Sequence, residues 1–257
     1  MTILKAEGLS FSYGQVPVLR DLAITLARGS FAGLIGPNGC GKSTLLRLLS
    51  GVLAPSRGAI VFEGRALETI PPRERAGFIA YVPQQQRSVF PFTALEVVLT
   101  GRTPYTSRFR FESEADREIA MRALEEIGAS HLAPRPVTEL SGGEQQMVSV
   151  ARALAQNAKL LLLDEPAAAL DLKHRAQLSS ALRRLREERG LTALIVTHDL
   201  QMLDSSFDAL FAMREGAIVA EGPPRDVLRQ EILARAFDDY RVRTGRIDGR
   251  TFVWSEW

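Results

Sequence analysis

Phe31-Ala32-Gly33-Leu34-Ile35-Gly36-Pro37-Asn38-Gly39-Cys40-Gly41-Lys42-Ser43-Thr44 decides the fold. Residues 31–35 form a short apolar run, the pattern of a buried strand. Gly36, four residues, then Gly41-Lys42-Ser43 is the phosphate-loop spacing. The leucine-rich stretch that follows, 43–49, predicts a helix. Strand, glycine loop and helix together are the context the motif requires. Glycines let backbone N–H groups curl around phosphate oxygens, and the helix N-terminus adds a favourable dipole. Lys42 is expected to reach the β- and γ-phosphates, and the Ser43 hydroxyl to coordinate Mg²⁺. The competing reading is a glycine turn with no ligand, which the Lys-Ser pair disfavours.

A second apolar run, Leu160 to Leu163, predicts a buried parallel strand. Asp164 ends it, at the edge where open α/β sheets bind ligands, and is expected to hold Mg²⁺. Glu165 follows and can orient or deprotonate an attacking water. Pro166 stops the strand. A third apolar strand, 191–196, ends at Thr197-His198-Asp199, and a His at that sheet edge can contact the γ-phosphate and help place the water. His131 and His174 lack such a context and read as caps or surface residues. Ser141, Gly142 and Gly143 open another predicted helix, giving a second anion site.

These elements resemble the ATP-binding subunit of an ABC transporter, and the resemblance covers nearly the whole chain. Tyr13, in Phe11-Ser12-Tyr13-Gly14, fits the aromatic that stacks on adenine; the alternative is an exposed aromatic at a strand end. The resemblance makes 36–44 the Walker A loop, with Gly36, Pro37, Asn38, Gly39, Cys40, Gly41, Lys42, Ser43 and Thr44 around ATP. It makes Gln84, in Tyr81-Val82-Pro83-Gln84, the Q-loop residue and a Mg²⁺ ligand with Ser43 and Asp164. Glu165, His198 and Gln84 form its catalytic set. Leu140 to Glu144 is the signature. Ser141, Gly142, Gly143 and Asp171 of the D-loop would contact ATP held by a second copy. The chain departs from the family at Ala167-Ala168-Ala169, where hydroxyl residues are common, and in Gln145-Gln146-Met147 after the signature, where many members carry Arg. Neither change removes a catalytic group.

The resemblance implies an α/β P-loop NTPase core of the RecA type. Its parallel sheet carries an antiparallel β edge sheet and an inserted helical lobe. One domain, 1–257, is expected, with a core of about 1–92 and 157–257 and a lobe of about 93–156. Alternation over 3–31 predicts the edge sheet, with 58–64 as a further strand. Residues 93–101, 112–128, 141–156, 171–189 and 199–204 read as helices. Ile119, Ala123, Leu124 and Ile127 share one apolar face of the second. Asp248-Gly249, between 240–247 and 250–254, signals a hairpin.

The resemblance further implies a homodimer with two sandwiched ATP molecules, an integral-membrane permease and, indirectly, an extracytoplasmic substrate-binding protein. The expected place is peripheral, on the cytoplasmic face of the inner or plasma membrane. The segment 84–111 is the expected permease-docking surface, since aromatics with arginine suit interfaces. It carries Phe90, Phe92, Tyr105, Phe109 and Phe111 with Arg87, Arg102, Arg108 and Arg110. Phe92 is expected to pack inside the lobe instead. Pro72-Arg73-Glu74-Arg75, Thr100-Gly101-Arg102-Thr103-Pro104-Tyr105 and Pro136-Val137-Thr138-Glu139 resemble the importer subgroup for ferric siderophores, haem and cobalamin.

Composition agrees. A net charge of +2 over 257 residues leaves no electrostatic footprint for nucleic acid. No apolar run reaches membrane-spanning length, and residues 1–8 lack a signal-peptide core. The single cysteine excludes an internal disulfide. Beside Lys42 and a helix N-terminus, its thiol is expected to ionise readily. Two other classes compete: a non-transport ABC protein acting on ribosomes or DNA, and a nucleotide-holding module without turnover. The former usually carries two cassettes or a long coiled-coil insertion, and Glu165 with His198 argues against the latter.

Overall fold

The computed structural model describes residues 1–84, 90–105, 113–200, 203, 206–247 and 250–256. The chain divides into two compact units, Met1–Ile70 with Thr192–Trp257, and Pro71–Leu191.

The first unit opens with β1 (Thr2–Tyr13) and β2 (Val16–Ala27), whose residues alternate between buried and exposed. That period of two makes a half-buried antiparallel pair. Strand β3 (Phe31–Ile35) is buried throughout and leads into helix α1 (Lys42–Leu49). Strand β4 (Arg57–Phe62) pairs with β1, and the short β5 (Arg65–Ala66) with β4, completing the expected antiparallel sheet.

The second unit begins with α2 (Pro72–Ala76) and β6 (Ile79–Val82). Helices α3 (Ala94–Leu99), α4 (Glu114–Glu126) and α5 (Gly142–Ala155) follow and pack on one another. Their burial is apolar: Ala120, Ala123 and Leu124 are buried on α4, and Met147, Val148, Val150 and Ala151 are buried on α5, which packs against it. A 3₁₀ turn, Thr100–Arg102, continues α3, and a Cβ on Gly101 would lie 2.3 Å from the Arg152 carbonyl. Strand β7 (Leu160–Asp164) pairs in parallel with β6, and α6 (Leu172–Arg189) closes the unit.

The chain returns to the first unit with β8 (Thr192–Val196), parallel to β3. Strand β9 (Ala209–Arg214) runs parallel to β3 on its other side, and β10 (Ala217–Gly222) is antiparallel to β9. Helices α7 (Pro224–Val227) and α8 (Gln230–Phe237) cover β9 and β10. A core of Ile35, Leu210, Ala212, Val227, Leu233 and Val242 joins them. Strands β11 (Val242–Ile247) and β12 (Arg250–Ser255) pair antiparallel as the predicted hairpin, whose turn at Asp248 and Gly249 lies outside the described residues. Of the helix expected over 199–204, residues 201, 202 and 204 also lie outside them.

Candidate functional site

The predicted site residues divide between the two units. In the first, the phosphate loop is shaped by glycine sterics. Gly36 has φ 148°, and a Cβ there would lie 2.1 Å from the Met213 carbonyl oxygen. Gly41, at φ 106°, caps α1, and its Cβ would meet Leu19 and Met213 side chains at 2.8 and 3.0 Å. The Gly216 N–H donates to the Cys40 carbonyl at 3.1 Å, pinning the loop to the β9–β10 turn. Lys42 is buried and its Nζ donates to the Gly36 and Pro37 carbonyls, each at 2.8 Å. The ammonium is therefore held at the mouth of the loop it serves. No side chain caps α1 and no acid lies in its first turn. A helix N-terminus of this kind presents unpaired-type N–H groups and a positive dipole end, which suits polyphosphate.

Cys40 corrects an expectation. Burial raises its thiol pKa, and the opposing pull of Lys42 is the smaller effect. The charge next to it was legible in sequence; its enclosure by the loop was not.

Strand β8 lies beside β3 with Val196 opposite Leu34. His198 thus leaves the same C-terminal sheet edge as the phosphate loop, and it is exposed. Asp199 N–H donates to Thr197 Oγ1 at 3.0 Å, which shapes the turn. Tyr13 ends β1, is 45% exposed, and stacks edge-on against Phe11 with ring centroids 4.9 Å apart.

In the second unit, Asp164 is buried at the end of β7. Glu165 follows with φ 51°, a left-handed conformation that costs a non-glycine residue of order 1–3 kcal/mol. Its carboxylate Oε2 accepts a hydrogen bond from Gln84 Nε2 at 2.8 Å. Because a carboxylate accepts only, the amide NH₂ of Gln84 faces Glu165 and its oxygen is the atom suited to a cation. The sequence named both residues; their contact, across 81 positions, is a product of the β6–β7 pairing.

Ser141 caps α5. Its hydroxyl accepts from the Glu144 N–H at 3.3 Å, while the Glu144 carboxylate accepts from the Ser141 N–H at 2.8 Å. Those bonds, with Arg135 at 3.0 Å, hold the Glu144 carboxyl below its ordinary pKa, the Ser141 backbone bond being the largest cause. Space beside the Gly142 Cα is open, whereas a Cβ on Gly143 would lie 2.9 Å from the Ala169 carbonyl oxygen. The signature turn and the loop before Asp171 therefore touch. Asp171 caps α6 and faces His174.

Two expectations about the docking segment change. Phe92 does not pack inside: it is 53% exposed, as Phe90 is at 62%, and their rings lie 6.0 Å apart. Arg102 is buried instead of displayed. Its Nε donates to Asp116 at 2.9 Å, its Nη1 to the Ala155 carbonyl at 2.8 Å, and its guanidinium sits 4.1 Å from the Tyr105 ring centroid. Arg87, Arg108, Phe109, Arg110 and Phe111 lie outside the described residues.

Residues 19–168 match the family model described as ABC transporter, more than half of the chain. The chain belongs to the ABC transporter family and is its ATP-binding, ATPase component. The hemin import ATP-binding protein HmuV of Burkholderia pseudomallei is 41% identical over 258 residues, covering 94% of each chain. The iron(3+)-hydroxamate import ATP-binding protein FhuC of Bacillus subtilis is 38% identical over 237 residues, 92% of this chain and 88% of that one. Of another Bacillus subtilis relative, the ABC transporter ATP-binding protein YvrA, the chain spans only 53%. Among solved structures, a transporter assigned to the metal-chelate type, in an inward-facing conformation, matches with TM-score 0.82 and 30% identity over 98% of this chain and 96% of that one. No helix among the described residues is long and apolar enough to cross a membrane.

Proposed function

We propose that this chain powers uptake of an iron complex of the ferric siderophore type through a separate membrane permease. The observation that carries the catalytic part is Glu165, one residue past the buried Asp164 and fixed by the Gln84 amide at 2.8 Å. The import names of FhuC and HmuV support the transport part. HmuV, with its higher identity and coverage, favours haem as the second reading.

The residues divide the work. Lys42 and the backbone of 36–44 hold the β- and γ-phosphates, and Tyr13 stacks on adenine. Ser43, Gln84 and Asp164 offer hard oxygen donors of the sort Mg²⁺ takes. Mg²⁺ supplies neutralisation of phosphate charge. Glu165 accepts the proton of the attacking water, and Gln84 keeps the carboxylate aimed. His198 orients that water against the γ-phosphate. Ser141, Gly142, Gly143 and Asp171 contact ATP bound to a second copy, so hydrolysis requires a homodimer. Phe90 and Phe92 give the permease an apolar contact. The complex sits at the cytoplasmic membrane face and receives cargo from an extracytoplasmic binding protein.

Reconstitution with a co-purified permease tests the reading. Vesicles should take up a ferric siderophore on ATP addition, and Glu165→Gln should abolish uptake. Transport of hemin alone would move the assignment to the second reading; transport of neither would refute both.

A further inference from the structure

We infer that His174 is a positioning residue, which sets the Asp171 carboxylate for contact with the second copy's nucleotide. The inference rests on the two-copy reading above.

Asp171 Oδ1 accepts the backbone N–H of His174 at 2.9 Å and faces Nδ1 of the same residue at 2.8 Å. The first bond is an ordinary helix cap. The second adds nothing a cap requires. It puts two contacts on one oxygen, which blocks rotation of the carboxylate and fixes the imidazole tautomer with the proton on Nδ1. The Asp171 side chain nonetheless stays 65% exposed, so an exposed carboxylate is held in one pose. An exposed pair three residues apart contributes little to helix stability; orientation is what it supplies.

The next residue acts alongside it. Arg175 Nε donates to the Leu170 carbonyl at 2.8 Å. Two consecutive side chains in the first turn of α6 thus grip two consecutive residues of the preceding loop. That loop abuts the signature turn, since the Gly143 Cα lies against the Ala169 carbonyl. The bracket keeps Asp171 in fixed register with Ser141, the other group assigned to the second copy.

The test compares His174→Ala with His174→Asn in the full-length protein. The asparagine Nδ2 occupies the place of the imidazole Nδ1 and can donate to Asp171. His174→Ala should lose roughly tenfold in kcat, the worth of one charge-assisted hydrogen bond. Its KM for ATP should stay within about twofold, because the copy's own loop binds ATP first. His174→Asn should recover most of the kcat. Wild-type turnover by His174→Ala, or no recovery by His174→Asn, overturns the inference. In parallel, Glu165→Gln is assayed for ATP-dependent dimerisation. If it dimerises while His174→Ala turns over normally, only the positioning role fails. If it stays monomeric with Mg-ATP, the two-copy reading fails and the inference with it.

Discussion

The helices that follow Gly41 and Ser141 begin in opposite ways. Helix α1 has no side-chain cap and no acid in its first turn. Helix α5 has a full capping box, with the Glu144 carboxylate on the Ser141 N–H. Helices α3, α4 and α6 of the second unit are also side-chain capped, by Thr93 with Glu96, Ser113 with Asp116, and Asp171 alone. Intrahelical partners at α5 leave less of its N-terminus for an anion, and Glu144 adds a negative charge that Arg135 offsets. Under the two-copy reading proposed above, the loop of the first unit would hold ATP in one copy, and the signature turn, with its own N–H groups partly engaged, would add a weaker contact from the other. Shape in the first unit comes from backbone sterics at Gly36 and Gly41. In the second it comes from side-chain bonds, each removable by one substitution.

The largest effect should follow removal of the Lys42 side chain from the phosphate loop of the first unit. Lys42→Ala deletes the ammonium bound to the Gly36 and Pro37 carbonyls. ATP affinity should fall at least ~10²-fold, since hydrogen bonds to a charged group contribute about 1.5–3 kcal/mol each. Calorimetric titration measures it; wild-type affinity would mean the loop binds phosphate by backbone alone.

Arg102→Glu comes next. Arg102 is buried but its bond to Asp116 is part-buried, so losing it should cost about 1.5–3 kcal/mol, the range for a hydrogen bond to a charged group, and Arg102 also ties the α3 end to the Ala155 carbonyl. The variant should melt well below wild type and lose basal and permease-stimulated hydrolysis together. Phe90→Ser, at an exposed aromatic, should melt normally and lose only the stimulation. A stable Arg102→Glu protein would show that the second unit does not depend on this pair.

Acid sharpens the same contrast. Glu96, Asp116, Glu144 and Asp171 all have lowered pKa values. The first cause is a backbone bond from Thr93, Ser141 and His174 for Glu96, Glu144 and Asp171, and the Ser113 hydroxyl for Asp116. A carboxyl depressed in the folded state stabilises above its unfolded pKa, and that contribution is lost as pH falls through the folded value. Helical circular dichroism should therefore hold from pH 8 to 5 and decline below about pH 4. A signal unchanged to pH 2 would remove the caps from the account.

The smallest effect concerns Cys40. With its thiol pKa raised by burial, maleimide should label the native protein far more slowly than the denatured chain. Cys40→Ser should hydrolyse ATP within about threefold of wild type. Rapid native labelling would restore the reactive thiolate that sequence alone suggested.

What could be read in sequence was what the backbone must do. Gly36, Gly41 and Lys42 stand at positions where the loop tolerates little else, and the buried strands around them are continuous apolar runs. Strands β9 and β10 and helices α7 and α8 escaped notice. They are short, and Ala209–Arg214 carries no flanking motif to mark it. Arg102 looked like an interface residue because its partner, Asp116, lies fourteen positions away on another helix. Phe92 looked like core because apolar character does not reveal which face of a turn is covered. The contacts that organise these candidate site residues, Gln84 to Glu165 and His174 to Asp171, arise from strand pairing and helix capping. Each residue could be named without its neighbour.

The central claim is that two copies close over ATP and that Glu165 ends the closed state. Light scattering during size exclusion of Glu165→Gln, with and without Mg-ATP, tests it directly. The account predicts that the 28.3 kDa chain runs as a dimer only with Mg-ATP, and that hydrolysis falls by roughly 10²–10⁴-fold. A protein that stays monomeric with bound ATP, or that hydrolyses it at the wild-type rate, would contradict it.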